Sequence, residues 1–197
     1  MPGKDFVTIV SGLPRSGTSL MMQMLAAGGI PLLTDGIRPP DEDNPRGYFE
    51  FEPVKSTKKD SSWLREASGK AVKMVYLLLR DLPSSHDYRV ILMRRELHEV
   101  IASQRAMLRR LGRAGADVGD ERLAAIFEEQ MKSIAAWLGG QENCALLEVN
   151  YRDCIQSPMA AAHGIDEFLG GGLDVPKMAA AVDVSLYRRS RINAVLS

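Results

Sequence analysis

The sequence predicts an α/β protein built on a doubly wound, mostly parallel sheet with helices on both faces. Three observations point there. Three apolar runs, Phe6 to Val10, Tyr88 to Met93 and Cys144 to Val149, have the length and residue types of buried strands. The sequence between them is helical in pattern, and strands that alternate with helices need crossovers and parallel pairing. The first run also passes through a glycine-bounded loop directly into a good helix former, Leu20 to Ala27. Such a layout gathers loop N–H groups and the first helical N–H groups around one anion.

Taken in order, the helix from about Thr18 to Ala27 stops at Gly28-Gly29, a strong C-terminal signal. Ile30 to Leu33 is a short apolar stretch that fits a second strand. Residues 34–50 are too dense in Pro, Gly and charge for a regular element. A long irregular segment inside a domain is usually functional; a solvated acidic loop is the other reading. Residues 52–68 read as one polar helix, Lys70 to Val75 as a strand and Tyr76 to Leu82 as a short helix ending at Pro83. The strand at Tyr88 to Met93 ends in Arg94-Arg95 and hands over to a helix from about Leu97 to Leu111. Leu97, Val100, Ile101, Leu108 and Leu111 share one face of that helix. After a linker at Gly112 to Gly119, a long amphipathic helix runs from Asp120 to Leu138. Its core side carries Leu123, Ile126, Phe127, Met131, Ile134 and Trp137. The strand at Cys144 to Val149 follows, then helices over 158–169 and 176–182. In such folds ligands bind at the carboxyl ends of the strands. Two of the three strong strands end in Arg-bearing loops, at Arg15 and at Arg94-Arg95; if those strands are neighbours, the charges share one crevice.

The chain has 197 residues, equal numbers of acidic and basic side chains, and two cysteines. That fits one domain over 1–197 with a sizeable core. Balanced charge gives no global attraction to nucleic acid or an anionic membrane, so a basic site must be local. Cys144 and Cys154 are expected to be small half-buried apolar residues, not a disulfide framework. Met1 to Asp5 lacks a signal-peptide pattern and no apolar run reaches membrane-spanning length, so a cytoplasmic location is expected. Nothing in the sequence sets an oligomeric state.

The loop itself is Gly12-Leu13-Pro14-Arg15-Ser16-Gly17-Thr18-Ser19. Gly12 and Gly17 have the spacing of the nucleotide P-loop, but Thr18 stands where that motif needs a Lys for the β- and γ-phosphates. Ordinary ATP or GTP hydrolysis is therefore disfavoured. The cation has moved into the loop, to Arg15, a permanent charge with a planar donor fork that suits a phosphate.

Pro14 to Ser19 resembles the 5′-phosphosulfate loop of sulfotransferases that use PAPS (3′-phosphoadenylyl sulfate). The Arg form is similar to the Golgi, tyrosylprotein and bacterial branches. The resemblance extends to Arg95 and Ser103, eight residues apart, to Asn44-Pro-Arg-Gly-Tyr-Phe-Glu50, and to Val149-Asn-Tyr-Arg-Asp153 with Pro158. It implies a P-loop-type fold and in-line sulfuryl transfer from PAPS to a hydroxyl or amine acceptor, small molecule, glycan or peptide, leaving PAP (3′-phosphoadenosine 5′-phosphate). It implies donor binding by Pro14, Arg15, Ser16, Gly17, Thr18 and Ser19, with Arg95 and Ser103 on the 3′-phosphate. Arg15 and the amides of Ser16 to Ser19 would steady the leaving phosphate. The resemblance requires no metal, and no metal-ligand spacing stands in the chain. For the base, Asp35 is nearest the offset at which the tyrosylprotein branch carries a Glu, while Glu50 ends the family-like segment and is preferred. His98 stands on the donor's 3′ side, and His86 and His163 are expected at the surface. The chain is short for the family and has no Arg-Lys-Gly loop; Tyr187 to Arg191 is the stretch that might supply its charge. The alternatives are a small-molecule kinase and a catalytically silent nucleotide- or partner-binding protein on the same fold.

Overall fold

The computed structural model describes residues 5–41, 44–115 and 117–183. Its centre is a four-stranded sheet of β1 (Phe6–Gly12), β2 (Ala71–Lys73), β3 (Asp87–Arg94) and β4 (Cys144–Asn150), in the order β2-β1-β3-β4. Every pairing is parallel. Alternation along the strands sends Val7, Ile9, Val90 and Leu92 to one core, with Leu64, Leu79, Met131 and Leu138. Val10, Ile91, Met93 and Val149 face a second core of Met21, Met22, Met24, Leu25 and Met178. The sheet is thus covered on both faces, as parallel sheets require.

The helices are α1 (Thr18–Ala27), α2 (Leu97–Arg110), α3 (Asp120–Gly139), α4 (Tyr151–Gln156), α5 (Pro158–Phe168) and α6 (Val175–Ala180). The register pairs Val10 with Lys73, Gly12 with Met93, and Arg94 with Asn150. The loop after β1, the start of α2, the end of β2 and the start of α4 therefore meet at the carboxyl edge. Strand order reverses between β1 and β3, the crevice where open α/β sheets bind ligands.

Several expectations change. Residues 52–68 form two 3₁₀ turns, Glu52–Ser56 and Ser62–Glu66, not one helix. Side chains compete with the helical ladder here: Asp60 accepts from Ser62 N, Thr57 Oγ1 donates to the Val54 carbonyl, and Trp63 Nε1 donates to Thr57 Oγ1. The expected strand at Ile30 to Leu33 reduces to a single bridge, Leu32 to Ala71. Tyr76–Asp81 is 3₁₀ in character. On α3, Ile126 is exposed, and Leu111 after α2 lies in solvent; Leu138 is fully buried instead. α4 was not expected; Asn150 caps it by accepting from Arg152 N at 2.9 Å. Cys144 is half-buried and Cys154 fully buried, and both are free thiols; burial pushes the Cys154 thiol up to about 12.

Candidate functional site: an anion cradle at the β1–α1 loop

A cavity of about 440 Å³ opens at this edge, within the roughly 300–1,000 Å³ of small-molecule sites. Its floor is the loop from Gly12 to Ser19. Gly17 takes φ 102° and the ring of Tyr151 occupies the place of a Cβ, so only glycine fits. Hydrogen bonding within α1 begins with Met21 N to the Gly17 carbonyl at 3.1 Å. The N–H groups of Thr18, Ser19 and Leu20 thus have no intrahelical partner and form the positive end of the helix. Ser16 departs from expectation. Its N–H turns back to the Leu13 carbonyl at 3.1 Å and its side chain is buried beneath the loop, outside the cavity lining. Ser16 Oγ has no hydrogen-bond partner among the described residues.

Arg15 holds a left-handed backbone, φ 75°, a costly conformation for a residue with a Cβ. Side chains just before α2 and within it bond the loop backbone there. Arg95 Nη1 donates to the Arg15 carbonyl at 3.1 Å and Gln104 Nε2 to the Pro14 carbonyl at 2.8 Å. Arg15 Nε donates to Ser103 Oγ at 2.9 Å, so the two predicted donor-binding residues already touch. Burial, with Arg95 and Arg110 nearby, holds the Arg15 pKa below its ordinary value, though a guanidinium stays charged. Arg95 is locked in turn by Glu99 at 3.0 Å and by the Tyr151 ring, 4.6 Å from its guanidinium. Arg94 does not join this crevice. It pairs with Glu148 and Glu128 on the opposite side of β3.

The opposite wall comes from Lys73 at the end of β2 and from Arg38, Asn44, Pro45, Tyr48 and Glu50. Lys73 was missed in the sequence, where it looks like one polar residue in a short strand. Its Nζ donates to Ser19 Oγ at 3.2 Å and to the Tyr48 carbonyl at 3.0 Å. Burial pulls its pKa down from 10.5 to about 8. Asn44 Nδ2 also donates to Ser19 Oγ, at 2.7 Å. Tyr48 donates to Asp41, and the Arg38 guanidinium lies 3.3 Å from the Tyr48 ring centroid. Glu50 lines the cavity and pairs with Arg38 at 3.2 Å. Asp35 does not line it. Its carboxylate accepts from the N–H groups of Ile37 and Glu52, and these bonds hold it below the usual carboxylate range. The histidines are also absent from the lining; His98 and His163 are exposed and His86 is half-buried. Among the described residues no three His, Cys, Asp or Glu side chains come together as a metal site, and no helix is long and apolar enough to cross a membrane. Tyr187 to Arg191 lies outside the described residues.

Solved structures share this architecture. The sulfotransferase domain from the curacin biosynthetic pathway matches with a TM-score of 0.53 at 14% identity, over 93% of this chain and 89% of that one. The chain has a sulfotransferase fold. Mouse sulfotransferase SULT7A1, complexed with PAP, matches with a TM-score of 0.53 at 17% identity, over 98% of this chain and 67% of that one. Retinol dehydratase, in complex with androsterone and inactive cofactor PAP, matches at 0.51 and 15% identity, over 92% of this chain and 64% of that one. No family model and no curated protein matches the chain at the level of sequence. Within this fold the loop from Gly12 to Ser19 and the cavity above it lie at the carboxyl ends of β1 and β3, where α1 and α2 begin.

Proposed function

We propose that the protein is a sulfotransferase that moves a sulfuryl group from PAPS to a hydroxyl or amine acceptor and releases PAP. The observation that carries this reading is the meeting of Arg15, Arg95 and Ser103 around a helix N-terminus, with Thr18 in place of the P-loop Lys. Two anion-holding centres, the loop and the Arg95–Ser103 wall, suit a donor charged at both its 5′ and 3′ ends. The residues fit such a donor: helical N–H groups without an intrahelical partner, a cation within the loop, and four further cations, Arg38, Lys73, Arg95 and Arg110, on the lining.

When bound, the donor supplies an activated sulfuryl group and a phosphate leaving group. The amides of Thr18, Ser19 and Leu20, with Arg15, hold that phosphate and stabilise charge as it grows there. Ser16 holds the loop's shape and its N–H is spent internally. Arg95 and Ser103 take the 3′-phosphate. Lys73, between the loop hydroxyl and the acceptor-side segment, sets a positive charge beside the group in transfer. Glu50 accepts the acceptor's proton, and Arg38 keeps its carboxylate oriented toward the cavity. Asp35 shapes the segment that carries Glu50 through its two backbone bonds.

The test is release of PAP from PAPS with a panel of phenols, alcohols, sugars and amines. Acceptor-dependent release is expected. Tight PAP binding without turnover of any acceptor would favour the silent binding protein instead.

A further inference from the structure

We propose that Asn44 is a positioning residue that makes Ser19 an obligate hydrogen-bond donor to the anion in the loop. This rests on reading the loop from Gly12 to Ser19 as the anion cradle. A serine hydroxyl has one hydrogen to give and two lone pairs to accept with. Asn44 Nδ2 and Lys73 Nζ, at 2.7 and 3.2 Å, fill both lone pairs of Ser19 Oγ. The remaining hydrogen is left to point into the cavity that Ser19 lines. A group able to accept or donate becomes a fixed donor. It matches oxygens that carry no proton, those of a phosphate or phosphosulfate, and rejects a hydroxyl or amine hydrogen at the same place.

Neither partner belongs to the loop. Asn44 is anchored by its own N–H to Asp41, through the carbonyl at 3.1 Å and Oδ1 at 3.0 Å. It stands in the segment that also carries Tyr48 and Glu50. Lys73 closes the circuit by donating to the Tyr48 carbonyl at 3.0 Å. The direction of the Ser19 hydrogen is therefore tied to the docking of the acceptor-side segment. The device needs Asn at this position. A carboxylate has no N–H to give and would draw the Ser19 hydrogen to itself.

The experiment is a double-mutant cycle on the full chain, read by calorimetric binding of PAP and of inorganic pyrophosphate. Ser19→Ala should weaken binding about tenfold or more, the scale of one hydrogen bond to a charged group. Asn44→Ala should weaken it about three- to tenfold, the scale of one neutral hydrogen bond. In the Ser19→Ala background Asn44→Ala should have no further effect, because the hydroxyl it aims is gone. Asn44→Asp should cost more than Asn44→Ala, and the excess should shrink once Ser19 is Ala. Should Asn44→Ala fold poorly, Asn44→Gln, which keeps the amide but displaces it by one methylene, takes its place, and its loss should likewise vanish in the Ser19→Ala background. Losses that multiply in the double variants, or an Asn44→Ala protein that binds as the wild type does, overturn the inference and leave the sulfotransferase reading standing. A wild-type protein that binds neither probe ends the cradle reading, and this inference with it.

Discussion

Lys73 makes a prediction in which sign and size both follow from the structure. Burial lowers its pKa from 10.5 to about 8. Between those values the unfolded chain binds more protons than the folded one, so stability rises with pH across that window. Below about pH 8 the ammonium is charged in both states, and the folded state carries the whole cost of burying it. The interval is about 2.5 pH units, which at 1.36 kcal/mol each corresponds to roughly 3 kcal/mol as an upper bound. Denaturant unfolding at pH 7, 8, 9 and 10 should show the wild type gaining on Lys73→Met as pH rises. The slope is the diagnostic, since Met also leaves the Tyr48 carbonyl without its ammonium partner. An anion bound beside Nζ raises its pKa again, so PAP binding near pH 8.5 should take up a proton. Calorimetry in two buffers of different ionisation heat reads that uptake directly. Parallel pH curves for wild type and variant, with no proton uptake in either, would refute the placement of a buried titrating amine at this cavity.

Other outcomes follow from the same geometry. Arg15→Ala should lower kcat by about 10²- to 10³-fold, the loss of one transition-state donor; a raised KM at unchanged kcat would show uniform binding instead. Gly17→Ala should destabilise the fold by about 1–3 kcal/mol from backbone strain alone, more with the Tyr151 collision, and Tyr151→Ala should restore part of it in chemical denaturation. Glu50→Gln should cut acceptor-dependent turnover by about 10²- to 10⁴-fold, the range of a general base, with PAP affinity kept. Asp35→Asn should lower stability and spare turnover relative to Glu50→Gln; the reverse order would return the base to Asp35.

The elements that position the loop were legible because their signals are local. Phe6 to Val10 is apolar and β-branched, and Gly12, Gly17 and the Gly28-Gly29 stop bound the loop and helix. Arg95 and Ser103 were singled out by the resemblance to sulfotransferases, since their spacing alone is a weak signal, and the fold sets both against Arg15. The 3₁₀ turns between Glu52 and Glu66 were hidden because Thr57, Asp60 and Trp63 make side-chain bonds that no periodicity reports. Lys73 was hidden because its role depends on the register of β2 against β1, which sets it opposite Val10 and beside Ser19. The Asn44 bond to Ser19 was hidden for the same reason: it joins residues 25 apart through an irregular segment. Asp35 and Glu50 both looked available in the sequence. Only the folded segment shows one carboxylate turned to backbone N–H groups and the other to the cavity.

Ligand selectivity tests the central claim most directly. Thermal unfolding of the wild type is followed with increasing PAP, ADP, and ATP with magnesium. A ligand that binds only the folded chain raises the melting temperature by mass action. Strong stabilisation by PAP and much less by ADP is expected, on the proposal that Arg15 takes the 5′ charge of the donor and Arg95 and Ser103 its 3′ charge. Equal or greater stabilisation by ATP with magnesium would contradict it and favour a kinase.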